Sequence, residues 1–164
     1  MGCRGVHFAL NEVQYKRVIS ARSDNELVDI IQEDIEEAWD EDWLHETDKA
    51  WDAIHRCLTD GKLSFDNGKS PLSTVVIGGN NLYKGDDYII SLVPPENVRS
   101  VAELLASIDK AKLKEGYELI DQSDYDGEIG EEDFEYTWEW FKGLPKLFSK
   151  AAEAGRAVIF TVDQ

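Results

Sequence analysis

The chain has 164 residues, 42% of them hydrophobic and 10% aromatic, which suits one folded domain with a real core and argues against global disorder. Seventeen Lys and Arg face thirty-four Asp and Glu, a formal net charge of −17, so nucleic acid and anionic membranes are repelled and basic partners attracted. No apolar run is long enough to span a bilayer, no secretory leader is expected, and Cys3 and Cys57 are too few for a disulfide framework, which together point to a cytoplasmic protein with reduced thiols.

Met1-Gly2-Cys3 has the outline of an acylation signal, but Val6 stands where Ser or Thr is required, so no lipid anchor is expected. Val6 to Leu10 alternates as a first strand. Asn11 then caps a helix to about Ala21, with Val13, Arg17 and Val18 bracketing its inner side. Ser23 caps the next helix, where Leu27, Ile30, Ile31, Ile35 and Trp39 recur at helical spacing opposite Glu26, Asp29, Glu33 and Glu37. Asp40 to Leu44 is a break.

Thr47 to Leu58 reads as a short helix that Thr47 caps and Asp60-Gly61 ends. Asp66 to Pro71 is the densest turn signal, and Leu72 to Ile77, too short to assign by periodicity, is either a strand or one helical turn. Tyr88 to Val93 is a buried strand closed by Pro94-Pro95. A helix begins at Pro95 or Asn97 and carries Val98, Val101, Leu104, Leu105 and Ile108. A second, from Lys110 to Leu119 at most, is interrupted by Gly116, and a last one runs from about Glu131 to Ala154. Ala157 to Val162 is the clearest strand of all. Helices outnumber widely separated strands. The fold class is therefore α+β, a small mixed or antiparallel sheet containing both terminal strands and covered by several helices.

Trp51 and His55 sit four apart and share a face of the Thr47–Leu58 helix. One reading is a pocket: His55 as a base or ligand, Asp48 or Asp52 orienting it, Trp51 as a wall and Lys49 holding an anionic group. In that reading the Pro71…Gly78-Gly79 loop supplies backbone N–H donors. The other is a core stripe, because Trp51, Ile54 and Leu58 fall at i, i+3 and i+7. Cys57 lies on a different face from His55, which disfavours a Cys–His pair.

Those same residues carry a likeness. Asp48-Lys49-x-Trp51-x-x-Ile54-His55-x-x-Leu58, followed by Ser70-Pro71-Leu72-x-x-Val75-Val76-x-Gly78-Gly79, resembles the YfbM-like family of bacterial proteins, a domain of unknown function. The likeness extends from Met1-Gly2-x-x-Gly5 to the Lys150–Val158 segment, nearly the whole chain. It implies one α+β domain over residues 1–164 and names no catalytic residues.

The segment Gln122 to Asp133 parallels an EF-hand loop, yet has Gln122 at its first position and Asp133 at its last, so an acidic turn before a helix is expected instead of a calcium site. The three histidines lack ligand spacing, and no metal or other cofactor is expected. No phosphate-binding loop and no nucleophile elbow is present. On the Glu131–Phe141 helix, Phe134, Trp138 and Phe141 make one stripe, and Tyr136 with Trp140, flanked by Glu132 and Glu139, a second. That second stripe is either an interaction surface for a basic partner or is buried under the acidic Asp24–Asp42 helix. Two functions follow as expectations: a binding module for a basic protein or peptide, or a small-ligand binder or enzyme around Trp51 and His55.

Overall fold

Seven consecutive residues, Ala157–Asp163, form β5, and all but the last are buried. A strand with no polar alternation needs cover on both faces, and β5 has it at the middle of a five-stranded sheet. It pairs antiparallel with β1 (Gly5–Leu10) on one side and β4 (Tyr88–Val93) on the other. The edges are β2 (Leu44–Asp48), antiparallel to β1, and β3 (Asn80–Asn81), antiparallel to β4, so the order is β2-β1-β5-β4-β3. The computed structural model describes residues 3–163. The readings placed on Met1 and Gly2 lie outside them. The class is α+β, with both terminal strands side by side in the sheet.

One face of the sheet presents Val6, Phe8, Leu10, Ile90, Leu92 and Ile159. It is covered by α1 (Glu12–Ile19) and by α2 (Asp24–Ile30), which continues as a π-helical stretch over Ile31–Glu36. Asn11 closes a capping box with Gln14 on α1, and the Ser23 side chain accepts from the Glu26 N–H on α2. Val18, Leu27, Ile30, Ile31 and Ile35 complete this layer. Val13 does not join it and is 68% exposed, while Arg17 turns outward to pair with Asp34.

The opposite face, through Ala9, Val158, Phe160 and Val162, meets α3 (Trp51–Leu58), α4 (Pro95–Leu105), α6 (Glu131–Phe141) and α7 (Leu144–Ala154). The short helix α5 (Lys110–Tyr117) packs against α3. Phe141, Phe148 and Phe160 are sealed here, each worth about 2–3 kcal/mol of burial. Among the described residues no helix is long and apolar enough to cross a membrane.

Three local expectations are corrected and two open alternatives are decided. Thr47 does not cap a helix: it lies in β2, fully buried, with its hydroxyl donating to the Gly5 carbonyl at 3.2 Å, and α3 starts only at Trp51. Pairing with β1 outweighs the local capping signal there. Of the two readings left open for Leu72 to Ile77, the helical turn is the one found, a single 3-10 turn over Leu72–Thr74. Gly116 does not interrupt α5; a Cβ there would sit 2.0 Å from the Cys57 carbonyl oxygen, so the glycine lets two helices touch. The long final helix is two, α6 and α7, parted at Lys142-Gly143 where the His45 ring lies against Gly143. Lastly, α6 contacts α3, α5 and β2, across the sheet from α2, so the acidic Asp24–Asp42 segment does not bury its second aromatic stripe.

Candidate functional site

The apolar stripe of α3 turns Trp51, Ile54 and Leu58 into the core. The Trp51 indole N–H donates to the Cys3 carbonyl at 2.9 Å, and its ring lies 5.8 Å from that of Phe160. His55 is only 1% exposed. Its Nε2–H donates to the Ser64 carbonyl at 3.0 Å and the Asn67 Oδ1 at 2.8 Å, while Nδ1 is buried without a partner. Two acceptors at Nε2 place the proton there. Burial lowers the pKa of the ring, against the pull of those two hydrogen bonds, so it stays neutral and ties the segment after α3 to the helix.

The other residues of the expected pocket do not converge on His55. Asp52 is bound to Arg56 at 2.6 Å. Asp48, at φ 46°, turns toward α6, and Lys49 is exposed. Pro71, Gly78 and Gly79 line a different, small cleft of about 160 Å³, with Asn97 and Ser100 of α4. The Gly79 N–H is taken by Ser91 Oγ at 3.0 Å, and a Cβ on Gly78 would meet the Ser73 carbonyl at 2.0 Å. Close packing of the loop explains the glycine pair. Of the two readings of this face, the core stripe fits the geometry: a helix face that is apolar at i, i+3 and i+7 is buried, His55 with it.

A groove of about 510 Å³ opens where α6 begins, lined by Glu128, Ile129, Glu131, Glu132, Asp133 and Tyr136. Carboxylates in a first helical turn complement the helix dipole, which explains their tolerance but not the concavity. Asp133 is held by the hydroxyls of Tyr117 at 2.7 Å and Tyr125 at 2.9 Å, and burial, with this carboxylate alongside, pushes both phenols up. Among the described residues, no Lys, Arg or His lies within ion-pair distance of Glu128, Glu131 or Glu132. Tyr136 is half-buried, donates to Asp48 Oδ2 at 2.6 Å and accepts from the Lys49 N–H at 3.3 Å. Burial, then this bond, pushes its hydroxyl up to about 12, so at neutral pH it is a donor.

Of the four surface residues expected, Glu132 and Tyr136 line this groove. Trp140 stands edge-on to Tyr136 at 6.4 Å, half-buried, its carbonyl accepting from His45 Nε2 at 2.6 Å. Glu139 is paired with Lys142 at 2.6 Å and lies outside the groove. Sequence reasoning missed Glu128, Glu131 and Asp133 as lining residues, although the acidic run before the helix was their signal. The EF-hand-like segment is pinned internally: Gln122 donates to the Tyr125 and Gly127 carbonyls and accepts from the Ile129 N–H. Among the described residues, no three His, Cys, Asp or Glu side chains gather so as to hold a metal ion.

A family model described as a domain of unknown function, DUF1877, matches residues 1–161. The fold is similar to the crystal structure of YfbM from Escherichia coli, a protein of unknown function, at 18% identity, covering 97% of this chain and 99% of that one with a TM-score of 0.70. No curated protein matches. The structural likeness carries the fold alone.

Proposed function

The chain belongs to the DUF1877 family, a domain of unknown function, and from that premise we propose that it is a binding module whose groove at the start of α6 takes a basic segment of a protein or peptide. The observation that carries this is the concavity with Asp133 and three glutamates, unpaired among the described residues, around one aromatic ring. A Lys or Arg side chain entering it meets carboxylates on several sides and the Tyr136 ring, worth about 0.5–1 kcal/mol as a cation–π contact at an exposed site. The overall charge of −17 speeds the encounter, and screening over a Debye length of about 8 Å makes it salt-sensitive. A cytoplasmic setting goes with this reading, since Cys3 and Cys57 are both free thiols. The alternative around Trp51 and His55 has no such support, because the imidazole is sealed.

The test is titration of a fluorescein-labelled oligolysine peptide by fluorescence anisotropy. Binding should weaken with salt and fall at least tenfold in Glu131→Gln/Glu132→Gln. The same charge change at the exposed Glu103 and Glu115 should leave most of it intact. Equal loss in both variants would show a general charge effect and defeat the groove.

A further inference from the structure

On the other face of the sheet, between α1, α2 and the turn from β3 to β4, lies a second cavity of about 370 Å³. We propose that it is a binding site for a small monocarboxylate with a short alkyl body. Its apolar floor is Val18, 2% exposed, and Leu27, 3% exposed, with Leu82 and the exposed Ile19 beside them. Arg22 and Lys84 line the same cavity. In a chain with twice as many acids as bases, two cations share one cavity. Among the described residues neither has a carboxylate within ion-pair distance.

The two neighbouring acids are engaged elsewhere. Asp24 also lines the cavity, but its oxygens accept the N–H groups of Lys84, at 3.1 and 3.2 Å, and Gly85, at 3.1 Å. That contact ties the turn bearing Lys84 to the start of α2. Glu26 accepts the Arg22 backbone N–H at 3.0 Å while its own N–H is held by Ser23. The backbone carrying both cations is thus fixed by these acids, and among the described residues neither side chain is ion-paired.

Size and chemistry select the ligand. At about 370 Å³ the space lies within the range of small-molecule pockets, enough for a six- to eight-carbon acid. An alkyl chain displaces water from Val18, Leu27 and Leu82, and a carboxylate meets Arg22 and Lys84 in a charge-assisted contact. A polyanion is disfavoured by Asp24, Glu26 and the global negative charge.

The experiment is an NMR titration of the methyl-labelled full chain with sodium hexanoate, and with hexan-1-ol as the uncharged comparison. Saturable shifts are expected at the Val18, Leu27 and Leu82 methyls, with hexan-1-ol at least tenfold weaker. The exposed double change Arg22→Gln/Lys84→Gln should erase that preference while leaving the response to hexan-1-ol. Absence of saturable shifts, equal affinity for acid and alcohol, or an unchanged preference in the double variant would overturn the proposal. The Glu131→Gln/Glu132→Gln protein should bind hexanoate as the parent does, so this site and the α6 groove stand or fall separately.

Discussion

The Tyr136 hydroxyl donates to Asp48 Oδ2 at 2.6 Å, joining the end of edge strand β2 to α6 across 88 residues of sequence. Asp48 holds φ at 46°, a left-handed conformation that costs an ordinary residue of order 1 kcal/mol, and the bond helps to retain it. Tyr136→Phe should lower stability by about 1–2 kcal/mol in urea unfolding. In a double-mutant cycle with Asp48→Asn the coupling should reach at least about 0.5 kcal/mol. Additive effects would mean that the two groups do not support each other.

Buried imidazoles should make this acidic protein lose stability on mild acidification. Burial, reinforced by the nearby His45, lowers the His7 pKa from 6.5 to about 3, against the hydrogen bond its Nε2 makes to the Val75 carbonyl at 2.7 Å. His55 is lowered as well, first by burial. Well above the unfolded pKa of 6.5 both rings are neutral folded and unfolded, and pH has no leverage through them. Below it the unfolded chain takes up protons that the folded rings refuse, so stability falls with pH, by up to about 1.4 kcal/mol per unit for each ring. The Glu36 carboxyl, raised by burial, works in the opposite sense, so the variant isolates the ring: between pH 6.5 and 5, His7→Gln should reduce the slope of unfolding free energy against pH. An undiminished slope in that variant would clear His7 of the effect.

How far the sequence announced these features depends on their surroundings. β1, β4 and β5 were legible because strands buried on both faces leave apolar runs with few interruptions. β2 was not: an edge strand, Leu44-His45-Glu46-Thr47-Asp48, half-buried at every residue but the buried Thr47, shows no clean alternation and ends in a plausible helix cap. The break between α6 and α7 had a signal in Gly143 and Pro145, overridden in reading by the apolar periodicity on either side. Trp51 and His55 were seen to share a face, but whether a face looks into a core or a cavity depends on residues distant in the chain. The groove was half legible, through Glu132 and Tyr136. The Asp48 contact and the sharing of one cavity by Lys84 and Arg22 have no local pattern at all.

Gly116 reverses the usual helix rule. In a solvent-facing helix, Gly→Ala stabilises by about 1 kcal/mol. Here the added methyl would lie 2.0 Å from the Cys57 carbonyl oxygen, with backbone on both sides of the contact. α3 and α5 would have to move apart, so Gly116→Ala should destabilise by at least about 2 kcal/mol, seen as a lower thermal midpoint. A rise in the midpoint would mean that the two helices do not approach so closely.

Arg56 is a buried charge with internal partners. Its side chain is 4% exposed, yet it reaches Asp52 Oδ1 at 2.6 Å, Asp124 Oδ2 at 2.9 Å and the Asp124 carbonyl at 3.0 Å, and it stands 5.3 Å from the Tyr125 ring centroid. The planar guanidinium meets these partners at once; a Lys ammonium in its place has one point of charge and no fork. Arg56→Ala removes the buried guanidinium and its several charge-assisted hydrogen bonds together with its packing on Tyr125, and should cost about 3 kcal/mol, Arg56→Lys somewhat less. Asp124→Asn should cost well under 1 kcal/mol, because that carboxylate is 61% exposed and its backbone carbonyl keeps the clamp. In hydrogen exchange, Arg56→Lys should speed the Asp124 and Tyr125 amides, whose carbonyl partners lie within the clamped turn, and leave those of α7 alone. Because α6 starts just beyond this turn, the same variant should weaken oligolysine binding without removing any carboxylate of the groove. If binding were unaffected while the turn opened, the groove would not depend on the segment that delivers Glu128 to its rim.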